Sequence, residues 1–213
     1  MSSGWALFRR EAENISDYFP KLTCSIEGNG RPYLSGLIDL KDEESGVIDS
    51  YNIAIIPTDR YPAEFPCVYE IGGRIPKNID WHVYGDGHCC VKAQPEEILI
   101  CSRGLTLYGF ITEQVIPYFF NQKHRELYGY FLQERSHGQQ GNLESFKEIF
   151  NTADRAVIKR CLEFIARREK PNRVSICFCG SGRKYRKCHR ETYKLLQHLT
   201  DRDIALYSLL LNS

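Results

Sequence analysis

The sequence predicts an α+β protein: a four-stranded antiparallel meander with flanking helices, followed by a small helical module rich in Cys and basic residues. Three observations carry this prediction. Four short β-prone segments follow one another with no room for a helix between them. Amphipathic helical patterns stand before and after those segments. A cluster of Cys, His, Gly, Arg and Lys then occupies residues 172–190.

Trp5, Phe8, Ala12, Ile15 and Phe19 recur at helical spacing with charged residues between them, so a first helix is expected, ended at Pro20. Strands are expected at residues 22–26, 33–40, 51–56 and 67–71. The turn-forming runs Glu27-Gly28-Asn29-Gly30 and Asp42-Glu43-Glu44-Ser45-Gly46 separate the first three. Residues 72–104 carry few periodic apolar positions and read as one long loop. From Leu107 a helical period returns through Tyr108, Ile111, Val115 and Phe119, with a break or kink at Pro117, and continues to residue 132. Residues 136–141, His137 among them, read as a loop, and Leu143, Phe146 and Phe150 as a short helix. Thr152 reads as the N-cap of a helix whose apolar face is Val157, Ile158, Cys161, Leu162 and Ile165. Two helices finish the chain, with Thr200-Asp201-Arg202-Asp203 as a cap between them. These patterns divide the chain into residues 1–150 and 151–213.

The net charge of +1 over 213 residues hides an asymmetry. Residues 1–159 carry 16 Lys/Arg against 22 Asp/Glu, while residues 160–194 carry 11 against 3. The two parts are therefore expected to meet different partners. No apolar run approaches the ~20 residues of a membrane helix, and no secretory apolar region opens the chain. Nine cysteines, an odd number, favour thiols and metal ligands over a disulfide framework, so a reducing cytoplasm is expected.

Cys177, Cys179, Cys188 and His189 follow the pattern Cys-x-Cys, eight residues, Cys-His. Three thiolates and an imidazole suit a closed tetrahedral Zn²⁺ site of structural type, and Gly180 and Gly182 let the loop fold around the ion. A module this small needs the metal to be stable. The run resembles the SEC-C motif, the zinc-binding tail best known from the bacterial preprotein translocase motor. That resemblance implies a docking module, and the basic surface is compatible with a protein, ribosomal or RNA partner.

Residues 61–91 are the second chemical stretch. Tyr61-Pro62-Ala63-Glu64-Phe65-Pro66-Cys67-Val68 resembles the Tyr-Pro-x-x-Pro-Pro-x-Val of the ubiquitin-conjugating (E2) family, with Phe65 in place of the first paired proline. Gly87-His88-Cys89-Cys90-Val91 resembles that family's Gly-x-Ile-Cys-Leu. The resemblance covers residues 5–135 and implies an E2/UBC-like fold. It implies further that Cys90 carries a ubiquitin-like protein as a thioester and that Cys89 is a packing residue. His82 matches the His of the family's His-Pro-Asn, while Val83 and Tyr84 replace its Pro and Asn. The oxyanion stabiliser is then Tyr84, His82 or a backbone amide. A His, an aromatic residue and an Asp-Gly ahead of the cysteine are closer to the divergent E2-like proteins of bacteria.

A thiolate takes an acyl group from another thioester and leaves it activated toward an amine. Free Cys titrates near about 8.5, so a modest depression near His82 or His88 would raise its reactive fraction at neutral pH. The resemblance implies an E1-like adenylating enzyme, a ubiquitin-like protein and a target amine as partners, in a bacterial conjugation pathway with antiviral defence as one setting. The alternative is a non-catalytic E2-like or RWD-like scaffold whose zinc module binds a protein, ribosomal or RNA partner.

Overall fold

The computed structural model describes residues 3–210 except 135, 137 and 198. It separates into two compact units, residues 1–92 with 104–135 and residues 93–103 with 136–213. The expected loop histidine His137 lies outside the described residues.

The first unit opens with α1 (Ser3–Glu13) and a 3₁₀ turn at Ile15–Asp17. Next come β1 (Leu22–Ile26), β2 (Pro32–Asp42), β3 (Gly46–Ile56) and β4 (Cys67–Glu70), paired antiparallel in the order β1-β2-β3-β4. The meander is therefore the one expected. The central hairpin is longer than the sequence suggested. Asp42 Oδ1 accepts the amides of Glu44 and Ser45, which tightens the turn and lets pairing run out to Asp42↔Gly46 past a bulge at Leu40/Lys41. Alternation puts Leu34, Ile38 and Leu40 of β2, and Tyr51, Ile53 and Ile55 of β3, in the core.

Three helical pieces supply the other apolar surfaces of this unit. α1 buries Phe8 and Ala12, and Phe8 meets Tyr61 edge-on at 5.5 Å. Glu11 on α1 accepts hydrogen bonds from the Tyr61 hydroxyl and from the Leu107 amide, fixing α1 to both segments. α3 (Leu107–Phe110) leads through a π-helical turn at Ile111–Val115 into α4 (Ile116–Tyr128). Pro117 does not break a helix here. It sits in the first turn of α4, where its missing N–H costs little. α4 stops at Gly129, in left-handed conformation, rather than continuing to residue 132.

The second unit contains α2 (Gln94–Ser102), α5 (Gly138–Ile149), α6 (Arg155–Ala166), α7 (Arg190–Leu196) and α8 (Asp201–Leu210). α2 and α5, on the N-terminal side of residue 150, belong to this unit. α2 lies within the segment read as a single loop, and α5 begins at Gly138 inside the loop expected at 136–141. The α6 N-cap is Asp154, whose side chain accepts from Ala156 and Val157, while Thr152 accepts the Asp154 amide. Thr200 and Asp203 cap α8 reciprocally, each side chain accepting the other's amide. Leu143, Phe146, Phe150, Ile158, Leu162, Ile165, Leu196 and Tyr207 form the core. No described helix is long and apolar enough to cross a membrane.

Candidate functional site

The Cys90 loop is held from one side by α4. Tyr118, Gln122 and Arg125 lie at i, i+4 and i+7, on one helix face. They donate to three consecutive carbonyls: Tyr118 Oη to His82 at 3.0 Å, Gln122 Nε2 to Trp81 at 2.7 Å, and Arg125 Nη1 to Asp80. Arg125 also lies over the rings of Trp81 and Phe131, at 4.3 and 4.5 Å. His82 takes a left-handed backbone (φ +52) to leave the 3₁₀ turn at Ile79–Trp81. Its carbonyl then accepts the Cys90 amide at 2.7 Å, and its ring packs edge-on against Phe131 at 4.6 Å. His82 is buried and meets Cys90 through backbone, which makes it a brace of the loop.

Residues 82–90 form a small hairpin. Val83 pairs with Cys89, and the Tyr84 amide donates to the His88 carbonyl at 2.9 Å. Gly87, with φ +94, closes the three-residue tip by donating to the Tyr84 carbonyl. Extended backbone sends neighbouring side chains to opposite faces. Cys89 accordingly points inward and its amide donates to Val68 on β4. Burial pushes the Cys89 thiol up to about 12. Cys90 is half-buried, and the Tyr84 hydroxyl reaches its Sγ at 3.3 Å. The structure thus joins Tyr84 to Cys90 and leaves Cys89 protonated.

Beside them stands a pair absent from the sequence reading. Asp86 Oδ1 lies 2.6 Å from His88 Nδ1 and accepts the His88 amide at 3.2 Å. That amide, and then the imidazole, hold the Asp86 carboxyl below the usual carboxylate range. The His88 ring stacks on Tyr84, centroids 4.1 Å apart. The Asp-Gly-His spacing at the hairpin tip was the available signal.

The second candidate centre lies in residues 175–189. Cys177 N donates to Arg183 and Tyr185 N to Ser175, forming a short hairpin that turns through Gly180 (φ +82) and Gly182 (φ +73). A Cβ on Gly180 would stand 2.4 Å from Arg160 Nη1, which itself lies 3.4 Å from the Cys179 carbonyl. The hairpin presents Cys177 and Cys179; Cys188 and His189 follow at the start of α7. Their ligand atoms all lie within 4.8 Å of one another, and three of the four residues are buried.

Zn–S bonds of about 2.3 Å and Zn–N bonds of about 2.0 Å give tetrahedral edges of roughly 3.5–3.8 Å. Cys179 and Cys188 sulfurs are 3.7 Å apart, and His189 Nδ1 is 3.4 and 3.3 Å from the sulfurs of Cys177 and Cys188. The donor set and its spacing therefore fit a tetrahedral thiophilic ion. Burial raises the Cys177 thiol above its ordinary value, and thiols bind a metal as thiolates.

The SEC-C motif model matches residues 175–191 of this chain. No curated protein and no solved structure matches it.

Proposed function

We propose that this chain is an E2-like acyl carrier: Cys90 takes a ubiquitin-like protein as a thioester from an E1-like enzyme and passes it to a target amine. The observation that carries this reading is the Tyr84 hydroxyl 3.3 Å from the Cys90 sulfur, on a loop pinned by α4, next to an inert Cys89. A hydroxyl there stabilises a thiolate as it forms or leaves. The four-stranded meander with a leading helix is consistent with the ubiquitin-conjugating pattern of the sequence.

Zn²⁺ on Cys177, Cys179, Cys188 and His189 is the structural ion of this reading. All four positions are protein ligands, so the metal supplies fold stability. The exposed Arg183, Lys184, Arg186 and Lys187 around it favour a second role for that module, docking to an acidic protein or RNA partner.

The test is loading of the full-length chain with a glycyl-glycine thioester, read by intact mass. A reductant-sensitive adduct that survives Cys89→Ala and disappears in Cys90→Ala supports the carrier. Loading unaffected by Cys90→Ala sinks it, leaving the scaffold reading.

A further inference from the structure

Asp86 and His88 stand at the exposed tip of the Cys90 hairpin, with side chains 63% and 31% accessible. A carboxylate only accepts, so the 2.6 Å contact from Asp86 Oδ1 places the imidazole hydrogen on Nδ1. In the neutral imidazole Nε2 then keeps its lone pair. The hairpin makes residues 84 and 88 cross-strand partners, and the stacked His88 and Tyr84 rings lie 25° from parallel. The same Tyr84 whose face carries His88 directs its hydroxyl to the Cys90 sulfur. Three side chains of one seven-residue turn thus bring a fixed base, a hydrogen-bond donor and a thiol together on an accessible edge. His82, by contrast, is 8% exposed, and its carbonyl is occupied in holding the loop.

We propose, on the carrier reading above, that His88 is the catalytic base for transfer of the acyl group from Cys90 to an amine, and that Asp86 is its positioning residue. The amine nitrogen attacks the thioester carbonyl carbon. The C–N bond forms and the C–S bond breaks, with its electron pair going to Sγ. The Tyr84 hydroxyl donates to the leaving thiolate. The proton shed by nitrogen passes to His88 Nε2 and from there to solvent. The products are an amide and the Cys90 thiolate.

The test uses the full-length, zinc-loaded chain, acylated at Cys90 with a glycyl-glycine thioester. Discharge to lysine and to hydroxylamine is followed by intact mass. Hydroxylamine is already unprotonated at neutral pH and strongly nucleophilic, so its attack leans little on a base, whereas lysine is an ammonium that must give up a proton before it attacks and a second as the amide forms. Replacing His88 by Ala, or by Phe to keep a ring against Tyr84, is expected to slow lysine discharge at least about a hundredfold, the low end of general base catalysis. Asp86→Ala slows it in the same direction. Hydroxylamine discharge stays within about twofold of wild type, and added imidazole restores lysine discharge to His88→Ala. Lysine discharge unchanged in the His88 variants, or both nucleophiles slowed equally, overturns the assignment while leaving the carrier standing. Failure of the wild-type chain to load at Cys90 overturns both.

Discussion

His189 Nε2 lies 3.0 Å from the carbonyl oxygen of Phe150, while His189 Nδ1 faces the sulfurs of Cys177 and Cys188. A carbonyl only accepts, so Nε2 carries the hydrogen and Nδ1 keeps its lone pair for the cluster. The residue that closes α5 therefore sets the tautomer of the fourth ligand.

One zinc per chain is expected, and acid should release it. Three thiols and Nδ1 must all be unprotonated to bind, so protons compete with the metal and affinity falls as pH falls. Stepping from about pH 8 to about pH 5 in the presence of a colorimetric zinc chelator should show release, with loss of the tertiary signal of the second unit. Metal retained throughout that step contradicts the ligand set. His189→Ala should lower zinc affinity at neutral pH.

Tyr84→Phe removes a hydroxyl that reaches the Cys90 sulfur. Hydrogen bonds to charged groups contribute about 1.5–3 kcal/mol, so acyl discharge should slow by about tenfold to a hundredfold. The thermal midpoint should hardly change, because Tyr84 is on the exposed side of the hairpin. Single-turnover discharge alongside a melting curve separates the two effects.

Asp49 accepts both Arg74 guanidinium nitrogens and lies 2.7 Å from Lys123, with Arg74 also paired to Glu126 and lying over the Tyr51 ring. The Arg74 bonds hold the Asp49 carboxyl well below its usual range, against a smaller opposing effect of burial. A depressed carboxyl stabilises the fold above its unfolded value, near about 3.9, and loses that contribution as pH falls toward the native value. Asp49→Asn should therefore be less stable than wild type at pH 7. The gap should narrow as pH falls below about 4. Urea midpoints at several pH values check this, and a gap independent of pH would point to packing instead.

Gly36 sits in β2 with φ +137, and a Cβ there would stand 2.0 Å from the Lys21 carbonyl oxygen. Backbone cannot yield as a side-chain end can, so Gly36→Ala should cost about 1–3 kcal/mol or more. The readout is a lowered denaturation midpoint.

The strands were legible because alternation is a local property. Leu34, Ile38 and Leu40 announce a buried face without any knowledge of their partners. The helix that escaped reading, α2, had weak periodicity, and α5 was read only from Leu143 onward. α2 offered only its start signals, Pro95 followed by Glu96 and Glu97. α5 begins in a Gly/Gln-rich run, and Gly141 is needed there because a Cβ would meet the Ser136 carbonyl at 2.1 Å. The cluster of Cys177, Cys179, Cys188 and His189 was legible in full, since its spacing is itself the signature. The pairing of Tyr84 with Cys90 was reached only through a family resemblance. The stacking of His88 on Tyr84 depends on a hairpin register that composition does not encode.

Because residues 93–103 belong to the second unit while both flanks belong to the first, the polypeptide passes between the units three times. No single scission can release either one intact. A fragment beginning at residue 136 would lack α2, and with it Glu96, which accepts the Ser145 hydroxyl at 3.4 Å. Dissection of this protein therefore calls for circular permutation or a short bridging graft, not a simple C-terminal excision.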